Sequence, residues 1–320
     1  MTIGVTGGGA FGTALAIALA LDGKPVTQWA RSADAVRKMQ NDRVSPRLAG
    51  VTLPAEVTPT DDIADLLACD MILLVTPAQT LGGFMQAHGA QLAGKHLVAC
   101  CKGIDLNRMT GPASLIAEMQ PQATVSMLTG PSFAADIARG LPTALTLACA
   151  DEAAGATLQA ALSTAVLRLY RSTDVVGAEL GGALKNVMAI ASAVAIGAGL
   201  GESARAALIT RGFPEMQRLA LRLGAKPETL AGLSGFGDLV LTCTSTQSRN
   251  YSYGLALGQG KTFDSDATVE GASTALAVRK LAHELQLDMP ICTTVADLID
   301  GKTDVRGALT TLLSRPLKEE

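Results

Sequence analysis

Two charged side chains stand alone in long uncharged stretches, and their chemistry suits proton transfer. Lys185 is the only charged residue in positions 180–201, and Asp238 is the only one in positions 230–248. Burial lowers the pKa of a lysine, by about 3–5 units when the ammonium group is fully desolvated. A desolvated Lys185 held beside the Asp238 carboxylate would therefore release and accept a proton near neutral pH.

Each of these two residues also has a purely structural interpretation that the sequence leaves open. Lys185 could lay its stem along apolar surface while its ammonium group reaches water. Asp238 could cap a helix or close a turn, because Gly235 and Gly237 permit sharp turns just before it. A capping Asp238 would still be able to hold a buried ammonium group, so the two roles of Asp238 are compatible.

Glycines near the N-terminus are spaced as in a dinucleotide-binding turn. The apolar run Ile3–Thr6 leads into Gly7, Gly9 and Gly12, which form a G-x-G-x-x-G pattern ahead of an apolar helical stretch. The first glycine permits the tight turn, the second lets a pyrophosphate approach the backbone, and the third lets helix and strand pack closely. The phosphate would lie on the free N–H groups of the helix N-terminus. The alternative is a glycine-rich turn that binds nothing.

The next predicted strand indicates which cofactor is preferred. In NAD-specific folds an Asp or Glu about 20 residues beyond the glycines binds the ribose 2′-hydroxyl. Here the run Pro25–Ala30 ends at Arg31 and Ser32, with no acid at that place. A cation and a hydroxyl suit a 2′-phosphate, which predicts NADPH as the preferred cofactor and NADH as the second choice. Arg31 could instead be an exposed cation that leads into the next helix.

Two further segments offer polar groups at predicted strand ends. Lys102 follows an apolar strand and would lie at the carboxyl edge of the sheet, where doubly wound folds bind ligands. It could also be a solvated loop cation. Gly130–Ala134 follows another strand, and its Pro131 and Ser132 suit ordinary helix entry, with Ser132 as the cap. The same segment would equally suit presenting N–H groups to a substrate or to the nicotinamide amide.

The segment Ser248–Asn250 ends the uncharged stretch around Asp238. Arg249 could hold a phosphate bidentately, and the side chains of Ser248 and Asn250 could add hydrogen bonds. The tripeptide by itself is equally compatible with a surface turn.

Apolar segments and helical segments alternate in the first half of the chain, and this order sets the fold. The predicted strands are Thr2–Thr6, Pro25–Ala30, Met71–Thr76, His96–Cys100, Thr124–Leu128, Thr143–Ala148 and Val166–Tyr170. Helical stretches between them include Gly12–Leu21, Ala33–Asn41 and Glu152–Leu162. Such alternation predicts an α/β fold with a Rossmann-type, doubly wound, mostly parallel sheet.

Strand patterns fade after Asp174, and helical patterns take over. They cover Ala178–Gly199, Ser203–Leu223, Thr268–Leu285 and Thr293–Ile299. We therefore expect two closely packed domains. Residues 1–174 would form an NAD(P)-binding Rossmann domain, and residues 175–320 an all-helical substrate and catalytic domain.

Composition excludes several other classes of protein. The chain has 320 residues, 48% of them hydrophobic and 17% charged, and a net charge of −3 without a basic run. That balance supports a large core and argues against a nucleic-acid-binding surface. Six cysteines without a CxxC pair and three scattered histidines predict buried thiols and no metal site. There is no basic n-region, and the longest uncharged apolar helical stretch, Val187–Leu200, is shorter than the about 20 residues of a membrane span, so we expect a cytoplasmic protein.

Taken in order, these segments resemble the NAD(P)-dependent glycerol-3-phosphate dehydrogenase family of the bacterial type. The matching stretches are GGGAFGTALA from Gly7, TPAQ from Thr76, CKGI from Cys101, GPSFAADI from Gly130, LKNVMAI from Leu184, ALITRG from Ala207, GLSGFGDLVLTCTS from Gly232, SRNY from Ser248 and VEG from Val269. They extend over most of the chain. Small departures are Ala10-Phe11 in the glycine turn, where relatives often have Trp or Tyr after a small residue, and Cys101 where Ser is commoner.

The resemblance implies an NAD(P)H-dependent interconversion of dihydroxyacetone phosphate and sn-glycerol 3-phosphate, which supplies phospholipid synthesis. It implies Lys185 as the proton donor and acceptor, with Lys102 and Asp238 beside it. The residues that would touch the cofactor are Gly7, Gly9, Ala10, Phe11, Gly12, Arg31, Lys102, Ala134, Arg249 and Glu270. Those that would touch the substrate are Lys102, Gly130, Ser132, Lys185, Asp238, Ser248, Arg249 and Asn250. It also implies a homodimer that needs no metal.

Two other functions remain compatible with the residues alone. Another two-domain reductase, acting on ketopantoate or a hydroxy acid, would share the fold, although Asp238 and the segment Ser248–Asn250 speak against it. A non-catalytic NADPH-binding sensor would need the glycine turn but not two isolated lysines and a buried acid. A panel of substrates with and without phosphate separates the reductases, and cofactor binding without turnover would indicate the sensor.

Overall fold

An eight-stranded sheet forms the N-terminal half of the protein, which the computed structural model describes over residues 1–263 and 268–313. The strands in chain order are β1 Ile3–Thr6, β2 Val26–Trp29, β3 Val44–Ser45, β4 Leu48–Thr52, β5 Val57–Thr60, β6 Met71–Leu74, β7 His96–Ala99, β8 Thr124–Thr129, β9 Thr143–Cys149 and β10 Leu167–Ser172. The sheet order is β10-β9-β8-β7-β6-β1-β2-β5, while β3 and β4 form a separate antiparallel hairpin. All neighbours in the large sheet are parallel except the antiparallel pair β8–β9. The prediction of a mostly parallel, doubly wound sheet is confirmed.

Helices cover both faces of this sheet. They are α1 Ala10–Ala20, α2 Ala33–Asn41, α3 Ile63–Leu67, α4 Ala78–His88, α5 Pro112–Met119, α6 Ala134–Ala138 and α7 Glu152–Leu162, with a 3₁₀ turn at Gly89–Leu92. Every residue of β1 and β6 is buried, as expected for strands that lie between helices. One apolar cluster contains Leu15 of α1 and Leu158 of α7, and a second contains Leu81 of α4 and Leu115 of α5.

The chain from Val175 onward is helical, and its described residues contain no strand. The helices are α8 Val175–Gly197, α9 Gly201–Arg222, α10 Pro227–Ala231, α11 Asp238–Cys243, α12 Arg249–Gly258, α13 Glu270–Glu284, α14 Pro290–Ile299 and α15 Val305–Leu313, with a π-helical turn at Leu233–Gly237. Residues 264–267 and 314–320 of the predicted second domain lie outside the described residues. Helix α8 is central, because α9, α11, α12 and α13 all pack against it.

Helix α8 lies close to the predicted helix Ala178–Gly199, and it is much longer than the uncharged apolar stretch Val187–Leu200. Its 23 residues are apolar enough, by length and composition, to cross a membrane. The uncharged stretch Val187–Leu200 gave too short an estimate, because Glu179 and Lys185 interrupt the apolar run without ending the helix. In the structure 89% of the most apolar window of α8 is buried by the rest of the protein. This is the environment of a core helix.

Proline explains two differences between predicted and observed elements. Helix α14 begins at Pro290 and not at Thr293, since proline at the first helical position loses no hydrogen bond. Strand β5, which the sequence analysis did not find, contains Pro59. It lies at the edge of the sheet and pairs only with β2, and an edge strand tolerates a residue without an N–H group.

Candidate active site

Lys185, Asp238 and Lys102 meet in one buried cluster at the carboxyl edge of the sheet. The Asp238 carboxylate accepts from both lysines, with Oδ1 3.1 Å from Lys185 Nζ and Oδ2 2.6 Å from Lys102 Nζ. The exposed fractions of the three side chains are 8% for Lys185, 2% for Asp238 and 14% for Lys102. The structure therefore brings the three isolated charges of the sequence together as one unit.

This geometry decides three alternatives that the sequence left open. The Lys185 ammonium group does not reach water, because it also donates to Thr242 Oγ1 at 2.7 Å. Lys102 is not a solvated loop cation, since its Nζ donates a second bond to the Gly130 carbonyl at 3.0 Å. Asp238 is the first residue of α11 and its side chain caps no helix. Lys185 therefore does not extend to water, Lys102 is not a solvated cation, and Asp238 is not a helix cap, although it directly follows the turn at Leu233–Gly237.

A π-helical turn delivers Asp238 to α8. A Cβ at Gly181 of α8 would lie 2.7 Å from the Ser234 carbonyl oxygen, and one at Gly235 would lie 2.0 Å from the Leu230 carbonyl oxygen. Only glycine fits at these two places, so the turn lies directly against the helix that carries Lys185. Thr242 follows Asp238 by one helical turn, which puts both side chains on the same face of α11.

The environment shifts the pKa values of Lys185 and Asp238 in ways that suit proton transfer. Burial lowers the pKa of Lys185 to about 8; the Asp238 carboxylate opposes this shift and the Lys102 ammonium adds to it. Burial alone would raise the pKa of Asp238, but the charges of Lys102 and Lys185 outweigh it and lower that pKa below its usual range. Near neutral pH the cluster therefore holds one carboxylate and a lysine that can give up its proton.

The glycine turn has the geometry that the motif predicts. Gly7 has φ +91°, in the region that favours glycine. A Cβ at Gly12 would lie 2.4 Å from the Gly7 carbonyl oxygen, so helix α1 could not pack here with any larger residue. Around Gly9 no atom lies within 4 Å of a Cβ placed there, and no side chain caps α1. This open space beside free N–H groups of Ala10 and Phe11 fits a pyrophosphate.

Arg31 and Ser32 follow the C-terminal end of β2, beside the glycine turn. Both are exposed, and Ser32 caps α2 by accepting a hydrogen bond from the Ala35 N–H at 3.2 Å. Arg31 therefore both leads into α2 and presents an exposed guanidinium group at the end of β2.

The segment Ser248–Asn250 is the start of α12 and not a surface turn. Ser248 is buried and caps the helix through the Tyr251 N–H, while Arg249 is exposed. The Asn250 side chain donates to Asn186 Oδ1 at 2.9 Å and accepts from the Gly271 N–H at 2.8 Å.

Glu270 opens α13 and faces the end of the sheet. Its Oε1 accepts the Ala78 N–H at 3.1 Å, while Oε2 is buried without a hydrogen-bond partner among the described residues. A Cβ at Gly103 would lie 3.2 Å from that Oε2, so Glu270 lies over the loop that carries Lys102. Burial raises the pKa of Glu270, although Arg249 opposes this.

The Gly130–Ala134 segment differs from its predicted form at one residue. Helix α6 begins at Ala134 with Phe133 as its N-cap and without a side-chain cap, so Ser132 is not the cap. The Ser132 hydroxyl instead donates to the Gly130 carbonyl at 3.0 Å, the same oxygen that Lys102 contacts. Gly130 itself has φ +144°, and Leu145 leaves room for little more than a hydrogen there.

Sequence reasoning missed three polar residues of this region. Thr242 could have been found from its i+4 spacing to Asp238, and Asn186 from its position next to Lys185. Thr129 gives no such signal: it ends β8, and its hydroxyl is buried without a partner among the described residues. A Cβ at Gly182 would lie 2.6 Å from that hydroxyl oxygen, which shows how closely α8 approaches the sheet.

The six cysteines are all buried and free, as predicted. Within residues 1–263 and 268–313 no group of three or more His, Cys, Asp or Glu side chains could hold a metal ion.

Comparison with known proteins shows similarity to glycerol-3-phosphate dehydrogenases over the whole chain. The family model described as NAD-dependent glycerol-3-phosphate dehydrogenase N-terminus matches residues 2–155, and the model of the C-terminus matches residues 174–310. The chain is 60% identical over 320 residues to the glycerol-3-phosphate dehydrogenase (NAD(P)+) of Paracoccus denitrificans (strain Pd 1222), and the match covers 100% of both chains.

Solved structures agree. The glycerol-3-phosphate dehydrogenase of Coxiella burnetii superposes with a TM-score of 0.92 at 35% identity, covering 98% of this chain and 99% of that chain. A PanE/ApbA family ketopantoate reductase from Ralstonia eutropha JMP134 reaches a TM-score of 0.63 at 17% identity over 97% of this chain and 100% of that chain, which is a likeness of fold alone. With its glycine turn and its buried Lys185–Asp238–Lys102 cluster, this chain belongs to the NAD-dependent glycerol-3-phosphate dehydrogenase family.

Proposed function

We propose that this protein is an NAD(P)H-dependent glycerol-3-phosphate dehydrogenase that reduces dihydroxyacetone phosphate to sn-glycerol 3-phosphate and also catalyses the reverse reaction. Its product would supply phospholipid synthesis. The observation that carries the proposal is the buried Lys185 ammonium group, which has a pKa of about 8 and lies 3.1 Å from Asp238 Oδ1. Membership of the family supports the same substrate pair.

Lys185 acts as the proton donor in this proposal. Reduction of the C2 carbonyl adds a hydride to carbon and a proton to oxygen, and the reduced nicotinamide supplies the hydride when it is bound. Lys185 gives its proton to the forming alkoxide, and it takes a proton back in the reverse direction. Asp238 and Thr242 hold the Lys185 ammonium group in place. Lys102 positions the substrate and stabilises negative charge on the reacting oxygen.

The cofactor would bind along the glycine turn and the carboxyl edge of the sheet. The open space at Gly9 and the uncapped start of α1 support this placement. The residues proposed to hold it are Gly7, Gly9, Ala10, Phe11, Gly12, Arg31, Lys102, Ala134, Arg249 and Glu270. NADPH is the proposed preference, because Arg31 and Ser32 stand where NAD-specific folds have an acid.

Reversing the charge at Arg31 tests the cofactor preference. We expect Arg31→Glu to raise KM for NADPH roughly 10–100-fold, because a charge-assisted contact to the 2′-phosphate is replaced by repulsion. KM for NADH should change by less than about threefold, since NADH lacks that phosphate. Steady-state kinetics with both cofactors measure the two effects.

Arg37→Glu is the matched control, since Arg37 lies on α2 and pairs with Asp34 on the exposed surface. It should leave both KM values close to those of the wild type. Equal shifts for NADPH and NADH in Arg31→Glu would show that Arg31 is only an exposed cation.

The substrate phosphate would bind at the start of α12. The exposed Arg249 side chain and the first N–H groups of the helix offer an anion both charge and hydrogen bonds. Ser248 and Asn250 belong to the same helix start, and Gly130 and Ser132 border Lys102.

Three further properties are part of the proposal. Residues 1–174 would form the NAD(P)-binding domain and residues 175–320 the substrate and catalytic domain, which the last strand at Ser172 and the start of α8 at Val175 support. The enzyme would act as a homodimer in the cytoplasm.

The pH dependence of the two reaction directions should be opposite. Reduction needs the protonated Lys185, so its kcat/KM should fall as pH rises through about 8. Oxidation of glycerol 3-phosphate needs the neutral amine, so its kcat/KM should rise through the same region. Measuring kcat/KM in both directions between about pH 6 and about pH 10 checks this prediction. Profiles that bend the same way in both directions would exclude Lys185 as the proton carrier.

A direct assay tests the activity itself. Purified protein, NADPH and dihydroxyacetone phosphate are mixed, and cofactor oxidation is followed by absorbance. Turnover that is lost with dihydroxyacetone, which has no phosphate, supports the proposal. Turnover with ketopantoate instead would indicate the alternative reductase, and NADPH binding without turnover on any substrate would indicate a sensor.

A further inference from the structure

Three residues of the proposed site are each followed by a member of one hydrogen-bond chain. Asn186 follows Lys185, Asn250 follows Arg249, and Gly271 follows Glu270. Asn250 Nδ2 donates to Asn186 Oδ1 at 2.9 Å, and Asn250 Oδ1 accepts the Gly271 N–H at 2.8 Å. Two hydrogen bonds thus connect α8, α12 and α13.

Both ends of the Asn250 amide are used inside the protein. Its NH₂ group donates to Asn186 and its carbonyl oxygen accepts from Gly271, so one donor and one acceptor position of the amide are committed to contacts within the protein. Asn186 is 3% exposed, so its amide oxygen depends on Asn250 for a donor. A buried amide of this kind costs about 1–3 kcal/mol when it loses its partner, which keeps the pair closed.

Backbone contacts reinforce the same connection. A Cβ at Gly271 would lie 2.7 Å from the Asn186 carbonyl oxygen and 2.8 Å from Asn250 Oδ1, so α13 begins directly against α8. A Cβ at Gly254 of α12 would lie 2.4 Å from the Ile190 carbonyl oxygen. The three helices therefore have little freedom to slide past one another while the asparagine pair is intact.

We propose that Asn186 and Asn250 are positioning residues, which together with the Gly271 N–H form an asparagine strap. The strap fixes Lys185, the Arg249 helix start and Glu270 relative to one another. Asn250 serves the substrate through the main-chain N–H of the first turn of α12, and its side chain serves the strap. This inference rests on the proposed function for the roles of Lys185 and Arg249. A displacement of about 1 Å in such a site costs roughly 100-fold in rate, so loss of the strap should lower activity.

A double-mutant cycle tests the strap. Asn186→Ala, Asn250→Ala and the double variant are compared for kcat, for KM of dihydroxyacetone phosphate and for the Kd of NADPH, measured by fluorescence titration. Each single variant should lower kcat and raise KM roughly 10-fold, and should weaken NADPH binding several-fold through Glu270. The kcat, KM and Kd of the double variant should lie within about twofold of those of the more impaired single variant, because either change already opens the strap.

Two controls separate the strap from a general loss of structure. Gln159 also links two elements through its side-chain amide, which donates to the Leu169 carbonyl at a distance of 2.7 Å. This bond lies away from the proposed site. Gln159→Ala should therefore leave kcat, KM and Kd unchanged even where its Tm falls as much as that of the strap variants. Asn186→Asp keeps the acceptor oxygen for Asn250 and should bind NADPH within about twofold of the wild type.

Other outcomes overturn the proposal. Two results would mean that the Asn250 side chain binds substrate directly. One is a double variant whose loss of activity is the product of the two single losses. The other is a raised KM in Asn250→Ala with unchanged kinetics in Asn186→Ala. An Asn186→Asp variant as weak as Asn186→Ala would also contradict the strap. The NADPH titration needs no turnover, so a wild type that binds NADPH without reducing dihydroxyacetone phosphate would refute the proposed function while the strap is still tested.

Discussion

Lys185→Ala should lose roughly 10²–10⁴-fold in turnover of dihydroxyacetone phosphate, the range typical of a general acid. The loss follows from the position of the ammonium group, which is buried against Asp238 Oδ1 and Thr242 Oγ1 and has its pKa lowered to about 8. No other group among the described residues of the cluster combines that pKa with that burial. NADPH binding, measured by fluorescence titration, should change by less than about threefold, since the glycine turn is not touched.

Two matched variants show whether proton transfer or charge is lost. Lys185→Arg keeps a cation beside Asp238, but a guanidinium group does not release a proton near neutral pH, so this variant should be nearly as slow as Lys185→Ala. Lys95→Ala removes another partly buried lysine, whose Nζ donates to the Cys69 carbonyl at 2.8 Å at the opposite end of β7. It should keep wild-type turnover. Wild-type turnover in Lys185→Ala would remove Lys185 from the mechanism.

Asp238→Asn should be the second most damaging change, and it should affect both stability and activity. The variant leaves the ammonium groups of Lys102 and Lys185 buried without their shared carboxylate. Removing one partner of a buried ion pair costs about 3–5 kcal/mol of unfolding free energy. Without Asp238 the pKa of Lys185 falls further, because the carboxylate was the main influence that opposed its desolvation. We therefore expect Asp238→Asn to reduce dihydroxyacetone phosphate roughly 100-fold more slowly than the wild type at about pH 8, and to be less impaired at lower pH.

Urea unfolding and a pH–rate profile measure these two effects separately. Glu118→Gln is the matched control, because Glu118 pairs with Arg108 on the surface. An exposed pair of this kind is worth only about 0–1 kcal/mol, so that variant should be close to the wild type. A pH profile for Asp238→Asn with its bend at or above that of the wild type would show that Asp238 does not control the protonation of Lys185.

The glycine turn shows how far local sequence can reach. The G-x-G-x-x-G spacing predicted the conformation at Gly7, the open space at Gly9 and the close packing at Gly12, and the structure has all three. These features depend on residues that are neighbours in the chain, so spacing alone encodes them.

Ser132 and Ser248 show where the same reasoning is ambiguous. Both are serines at the start of a helical segment, yet Ser248 caps α12 while Ser132 donates to Gly130 and caps nothing. Ser132 lies one residue before Phe133, the N-cap of α6, and the carbonyl to which it donates also accepts from Lys102, a contact over 28 positions of the chain. The antiparallel pairing of β8 with β9 is a second example, because no residue in either strand indicates whether the pair is parallel or antiparallel.

The sequence by itself singled out Lys185 and Asp238 as isolated charges in apolar segments, which are costly to bury without a partner, but it left their burial and pairing open. It also determined the glycine turn and the alternation of strands and helices, because these follow from short-range spacing. Only the tertiary structure decided that one carboxylate serves both lysines and that Thr242 completes the contacts of Lys185. It alone decided that Asn250 turns its side chain inward to Asn186 and Gly271. These contacts join elements that lie far apart in the chain, and their geometry depends on how closely α8 packs against the helices around it.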